Sequence, residues 1–393
     1  MDSNGLIYLD HAATTPVRPE VLEAMLPYFS EIYGNPSSLY PLAIKSHQAV
    51  ETARLQVADV LHCRASEIVF TSGGTESDNA SINGVAQALK AQGNHIITSS
   101  IEHHAVLNTC RHLERQGFQV TYLPVDKYGI VDPDDVARAV TNRTILVSIM
   151  YANNEIGTIE PIREISRAVR ERSEHFNTRI PVHTDAIQAA GYLDLDVDEL
   201  GVDLLSLSAH KFYGPKGCGV LYVRRETPLE PIQLGGGQEH QRRSGTENVA
   251  GIVGAGLALQ LATGEREITV SHCAHLRDTL IAGMLLRIQG ARINGHPYRR
   301  LANNAHFLFK ELDGEAIVLG LAKLGIAGST GSACSTGSPE PSHVLEAIGI
   351  DRELAWGSLR ISLGLQNTIQ DVEQLLEALP TVARRIDGSP VSS

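Results

Sequence analysis

Lys211 is one of only seven lysines in the chain, and it stands directly after an apolar run, Leu204–Ser208, in the order Ala209-His210-Lys211. An amine at the end of a buried strand is desolvated, which favours its neutral, nucleophilic form. Lys216, in Gly214-Pro215-Lys216-Gly217, competes for that role but lies in a turn. Other predicted strand ends also carry reactive groups. Ser72-Gly73-Gly74-Thr75 follows Ile68–Thr71 and precedes a helical pattern. Its glycines let the backbone approach an anion, and a helix start offers free N–H groups. An ordinary tight turn would look the same. Glu102-His103 follows His95–Thr98, and Asn153-Asn154-Glu155 follows Thr144–Ile149. Asp185, with Gln188 three residues on, follows Ile180–Thr184.

A single buried His or Asn is usually just a satisfied polar group. The joint pattern says more. In an open parallel sheet, ligands bind outside the carboxyl ends of the strands. A phosphate-type turn, an imidazole, an amide, a carboxylate and a lysine would therefore converge on one crevice. That set suits pyridoxal phosphate, which needs a lysine for a Schiff base, an acid for its pyridinium nitrogen and donors for its phosphate.

Two further residues stand out. Cys334 is central in a Gly/Ser/Pro-rich stretch, Ala327 to Ser342, whose composition predicts a flexible loop. A structural cysteine usually sits in an apolar setting, whereas a thiol that must travel suits such a loop. Cys63, Cys110, Cys218 and Cys273 lie in or beside regular elements and read as structural. Arg360, in the strand candidate Leu359–Ser362, could clamp a carboxylate bidentately if it faces inward.

These groups need a scaffold. Short β-branched runs recur from residue 68 to residue 223, with helical patterns such as Ser77–Ala91, His104–Gln116 and Pro161–Glu174 between them. Strands alternating with helices imply a mainly parallel sheet covered on both faces, an α/β fold. After about residue 250 the pattern changes. Leu276, Leu280, Met284 and Ile288 form a helical stripe, and Thr368 with Asp371 resembles a capping box before Val372, Leu375, Leu376 and Leu379. With strand candidates Ala305–Phe309 and Leu359–Ser362, this part reads as a smaller α+β domain.

Composition sets the outer limits. The 393 residues are 42% hydrophobic and 20% charged, which is ordinary for a folded globular chain. A formal charge of −12 argues against nucleic acid as a partner. No apolar run approaches a membrane span, and the opening Met1-Asp2-Ser3-Asn4-Gly5 is no secretory leader. Five scattered cysteines fit neither a disulfide framework nor a zinc site, so a cytoplasmic setting is expected.

In their order along the chain these residues resemble the cysteine desulfurases of the NifS/IscS type, within the fold-type I pyridoxal-phosphate enzymes. The resemblance rests on Tyr8–Pro16, Gly34–Ser38, Phe70–Asn79, Glu102-His103, Asn153–Gly157, His210–Gly217, Arg243–Thr246, Gly331–Cys334 and Leu359–Gly364. It implies a large cofactor domain over residues 16–261, and a small domain made of 1–15 and 262–393 that carries a mobile cysteine loop, 327–342. It implies that Lys211 carries the cofactor, Asp185 holds the pyridinium nitrogen and His103 stacks on the ring as a catalytic group. Asn154 and Gln188 would contact the ring-oxygen side. Gly74, Thr75, Ser208 and His210 would bind the phosphate, and Thr246 would reach the phosphate of the neighbouring subunit in a homodimer. Arg360 and Asn35 would hold the carboxylate of L-cysteine. Cys334 would take the sulfur as a persulfide for a sulfur acceptor or iron–sulfur scaffold, touching a nascent cluster as a transient ligand.

Two other readings share part of this pattern. An aminotransferase or selenocysteine lyase would use Lys211 and Asp185 but would not need Cys334 in a loop. A sulfur-carrier or scaffold-binding module without catalysis would need neither Lys211 nor Asp185.

Overall fold

The protein is described by a computed structural model that covers residues 5–310, 312–331 and 341–386. Cys334 and most of the expected cysteine loop lie outside the described residues. The strands are β1 (Ile7–Tyr8), β2 (Ile68–Thr71), β3 (His95–Ser99), β4 (Gln119–Leu123), β5 (Thr144–Ser148) and β6 (Val182–Asp185). They continue with β7 (Leu204–Ser208), β8 (Gly219–Val223), β9 (Arg292–Asn294), β10 (Asn304–Leu308), β11 (Ile326–Ala327) and β12 (Ser358–Ser362).

Strands β2 to β8 form one seven-stranded sheet in the order β2-β8-β7-β6-β5-β3-β4. Neighbours run parallel, except that β8 is antiparallel to both β2 and β7. Every residue of β2, β3, β5, β6, β7 and β8 is buried. This is the consequence of covering both faces with helices, and it explains why these strands read as continuous apolar runs. The helix Gly74–Leu89 packs across β5 to β8. One face of the sheet buries Val57, Leu61, Val147 and Leu205, and the other buries Ile82, Val85, Ile96 and Leu146. Each fully buried side chain of this size contributes roughly 1.5–3 kcal/mol.

A second core lies over the antiparallel sheet β12-β10-β9. The helix Arg266–Arg287 buries Leu276, Leu280 and Met284 against it, which is the stripe expected from their spacing. The helix Ile369–Ile386 buries Val372, Leu375, Leu376 and Leu379 in the same core. Its start has the anticipated reciprocal bonds: Thr368 N–H donates to Asp371 Oδ2 at 2.9 Å, and Asp371 N–H to Thr368 Oγ1 at 3.4 Å.

The described ends of the glycine–serine stretch differ from the expected loop. Ile326–Ala327 is β11, parallel to β1, and Ser329 bridges to Arg360 on β12. Ser342 caps the helix His343–Ala347, accepting from the N–H groups of Val344 and Leu345. Hydrogen bonds from neighbouring strand edges outweigh the local preference of Gly and Ser for turns.

The segment after β1 ties the two sheets together. Asp10 bridges to Ser362 on β12, while Thr15 N–H donates to His210 O at 2.9 Å, beside β7. Among the described residues no helix is long and apolar enough to cross a membrane.

Candidate active site

A cavity of about 510 Å³ lies at the carboxyl ends of β2, β3, β5, β6 and β7. Strand-to-helix turns put short polar side chains there, because a parallel strand must hand its chain to a helix at that edge. One end of the cavity is the start of the helix Gly74–Leu89, where Ser72 to Glu76 line the wall. The first N–H groups of a helix have no intrahelical acceptor, and its dipole favours an anion. Close packing shapes this turn. A Cβ on Gly219 would stand 2.6 Å from Gly73 Cα, and one on Gly74 would run into Ile187 Cδ1. Ser208 and His210 line the same cavity. The His210 Nδ1 lies 3.0 Å from Thr14 Oγ1. Burial, then the nearby Lys211 and Lys216, push the His210 imidazole down to about 4, so it is neutral at ordinary pH.

At the far end of β6, Asp185 is 4% exposed. Its Oδ1 accepts the backbone N–H of Ile187 at 2.9 Å, which leaves the second oxygen to accept from a ligand. Burial raises its carboxyl to about 6, against the lowering influence of the Ile187 N–H and of Lys211. A positive charge placed beside Asp185 would reverse that rise.

His103 caps the helix His104–Arg115: its Nδ1 accepts the N–H of Ala105 at 3.1 Å. An accepting Nδ1 fixes the imidazole proton on Nε2. Burial, then Lys211, His104 and His343, hold His103 down to about 4.

Lys211 follows β7 in a short 3-10 turn. Its Nζ donates to Ala12 O at 2.5 Å and Ala13 O at 2.8 Å. Gln188 Nε2 donates to the same Ala12 carbonyl at 3.0 Å. Arg360, 1% exposed on β12, brings a guanidinium to the cavity from the second core.

Gly74, Thr75, His103, Asn154, Asp185, Gln188, Ser208, His210, Lys211 and Arg360, all singled out in the sequence, line this one cavity. Lys216, the competing lysine, lines it too. Asn35 does not: it is exposed, and its Oδ1 accepts the N–H of Ser37 at 2.9 Å. Thr246 is likewise exposed and outside the cavity of its own chain. Sequence reasoning passed over Ala12, Ala13 and Thr14, which form a wall from the far N-terminal segment. Their signal was the Tyr8–Pro16 motif, but alanine carbonyls have no chemistry legible from residue type. Met150 and Ala152 were also missed, since apolar side chains mark a core as readily as a cavity.

The described cysteines are free, and burial pushes the thiols of Cys110, Cys218 and Cys273 up to about 12. Such thiols are inert. Among the described residues no cluster of His, Cys, Asp and Glu could hold a metal ion.

The chain is 54% identical to the cysteine desulfurase IscS of Methanosarcina thermophila, over 98% of this chain and 93% of the relative. It is 51% identical to the cysteine desulfurase IscS of Dictyoglomus turgidum, over 97% and 95% respectively. Among solved structures, a NifS-like protein superposes with a TM-score of 0.90 at 40% identity, covering 96% of this chain and 99% of the other. SspA, solved in complex with cysteine, superposes with a TM-score of 0.79 at 38% identity, covering 92% and 100%. The profile of the class-V aminotransferases matches residues 7–375, so nearly the whole chain, both sheets and the cavity between them included, belongs to the class-V aminotransferase family.

Proposed function

We propose that this protein is a pyridoxal-phosphate-dependent cysteine desulfurase, converting L-cysteine to L-alanine and passing the sulfur to Cys334 as a persulfide. The observation that carries the reading is the convergence of Lys211, Asp185, His103 and the Gly74 helix start on one cavity with Arg360 at its wall. The residues fit the cofactor. Asp185 has an oxygen left for a ring N–H, the helix start and His210 suit a phosphate, and Lys211 reaches the same space. Bound there, pyridoxal phosphate supplies a carbonyl for an amine and a sink for electrons released at the substrate α-carbon.

The chain's own groups do the rest. With the group bound, Lys211 Nζ would be the amine that holds it at rest and the base that moves the substrate α-proton. Asp185 would hold the ring nitrogen through its negative charge. His103 would stack on the ring as a neutral imidazole, its Nε2–H the donor. Asn154 and Gln188, which line the same cavity, would contact the ring-oxygen side. Arg360 holds the substrate carboxylate, since its Nε is buried with no hydrogen-bond partner among the described residues. The thiolate of Cys334 attacks the substrate sulfur. A sulfur–sulfur bond forms, the carbon–sulfur bond breaks, and its electron pair returns to carbon, which is protonated to alanine.

The persulfide sulfur then passes to an acceptor, which we take to be a scaffold for iron–sulfur clusters, with Cys334 touching the nascent cluster as a transient ligand. A cytoplasmic homodimer completes the reading, with Thr246 reaching the neighbouring subunit's phosphate.

A single turnover with L-cysteine and no reductant, followed by intact-mass analysis, tests this. One added sulfur mapped to Cys334 and one alanine released per site are expected. Unmodified protein with free sulfide or pyruvate in solution would sink the persulfide route and point to a lyase.

A further inference from the structure

Arg360 already holds a carboxylate. Its Nη2 donates to Asp10 Oδ1 at 2.8 Å, and the two residues are 350 positions apart in sequence. Its Nη1 donates twice, to Asn154 O at 2.9 Å and to Gly331 O at 2.5 Å. A guanidinium has five N–H groups. These bonds use three of them and leave the Nε–H with one N–H of Nη2. The Nε–H belongs to the side of the guanidinium that, with Nη2, can take a carboxylate. Asp10 thus occupies one N–H of Nη2, while the buried Nε–H beside it is left for a ligand.

Asp10 itself is held by its backbone. It bridges to Ser362, and its carbonyl accepts from Tyr8 Oη at 3.0 Å and from the Ala13 N–H at 3.0 Å. These bonds fix its backbone within the segment that also holds Lys211, so the carboxylate is presented to Arg360 from an anchored Cα. The Arg360 side chain is 2% exposed and that of Asp10 is 17% exposed. A charge buried this far needs a counter-charge, and removing one partner of such a pair leaves the other uncompensated.

We propose that Asp10 is an internal carboxylate that shares Arg360 with the substrate and sets how tightly an amino-acid carboxylate binds. The inference rests on the reading of Arg360 as the substrate-carboxylate residue. An incoming carboxylate meets a neutral Asp10–Arg360 pair rather than a bare buried cation, so its gain on binding is reduced. Cysteine and alanine carry the same carboxylate, and a weakened grip lets alanine leave. Asp10 is therefore a positioning and affinity-setting residue that touches the arginine rather than the reacting atoms.

The test uses the cofactor-loaded protein and L-alanine, which carries the carboxylate but no sulfur. Alanine binding is followed by the change in cofactor absorbance, and thermal unfolding is measured with and without alanine. In Asp10→Asn the alanine Kd falls by about fivefold or more, because alanine alone can neutralise Arg360. Unfolding of the unliganded variant moves to lower temperature, and alanine recovers more of the loss than it adds to the unaltered protein. The KM for cysteine falls with the alanine Kd, whereas kcat does not rise. Asp10→Ser, neutral and smaller, must move in the same direction and serves if the Asn variant fails to fold. Asp10→Glu, which restores the charge, returns the Kd toward its original value. An alanine Kd that stays level or rises in the neutral variants, alongside the same loss of stability, reduces Asp10 to a structural tether and overturns the proposal. If Arg360→Lys binds alanine as the unaltered protein does, the carboxylate assignment of Arg360 has failed, and this inference with it.

Discussion

Lys211 Nζ donates to the backbone carbonyl of Ala13 at 2.8 Å across 198 positions of sequence. The amine expected to react is thereby held by the N-terminal segment, with the Asp185 carboxylate near enough for the two charges to interact. A carbonyl orients the amine without adding a charge that would hold its proton, which suits a group that must become a neutral nucleophile. In the proposed function, Lys211→Ala loses desulfuration by about a thousandfold or more, the scale of a removed acid–base and nucleophilic group. Lys211→Arg keeps the charge and fails equally, because a guanidinium stays protonated. Sulfide release under reductant and the visible absorbance of the loaded protein measure both.

Asp185 links stability to pH in the cofactor-free protein. Its carboxyl is raised from 3.8 to about 6 on folding, so the folded chain binds the proton more tightly than the unfolded chain does. The stability this contributes is complete below pH about 4 and is lost as pH rises through about 6. Asp185→Asn removes that loss and keeps an acceptor for the Ile187 N–H. The cofactor-free variant is expected to be more stable above pH 7 by on the order of 2–3 kcal/mol, while binding the cofactor more weakly. Denaturant unfolding across pH, paired with cofactor titration, checks both halves.

His103 is neutral over the working range, because burial holds its imidazole down to about 4. A base whose value is lowered on folding contributes stability above its unfolded value near 6.5, and that stability is lost as pH falls through about 4. The pH–rate profile should therefore show no limb near 6.5 from this residue. His103→Gln keeps hydrogen-bonding capacity but loses the imidazole, and kcat is expected to fall by about a hundredfold, with the smaller change in cofactor affinity. His103→Ala also loses the cap on the Ala105 N–H, about 1 kcal/mol of stability.

Away from the cavity, Arg54 and Glu239 form a buried bidentate pair at 2.7 Å and 2.8 Å. Glu239 Oε2 also accepts the N–H of Phe70 on β2, just before the Ser72–Thr75 turn. Glu239→Gln removes the buried bidentate counter-charge, leaves the guanidinium with only the half-exposed Glu51 carboxylate at 3.0 Å, and is expected to cost about 3 kcal/mol. Because β2 delivers the turn at the Gly74 helix start, cofactor affinity should weaken in the same variant. Unfolding and cofactor titration on one preparation test the link.

Much of this was legible in the sequence, for a physical reason. Strands buried on both faces must be apolar throughout, so β2, β3, β5, β6 and β7 announced themselves, and the residue after each had to lie at the ligand-binding edge. Lys211 and Asp185 stood out because a charged group rarely directly follows such a run without a partner or a task. The helical stripe of Leu276, Leu280 and Met284 and the Thr368–Asp371 cap are local patterns, set by helix geometry within a few residues.

What the tertiary structure alone decided involves residues far apart in sequence. Spacing gave Arg360 no special weight, yet packing makes it a buried cation at the cavity wall. Asp10, Ala12 and Ala13 carry no signature of their own. They matter because pairing of β1 with β11 and the Asp10–Ser362 bridge draw the N-terminal segment between the two sheets, where it meets Arg360 with a carboxylate and Lys211 with carbonyls. Residue type along the chain specifies which groups can react. Which of them face each other across the cavity depends on contacts between distant segments, and those exist only once the chain has folded.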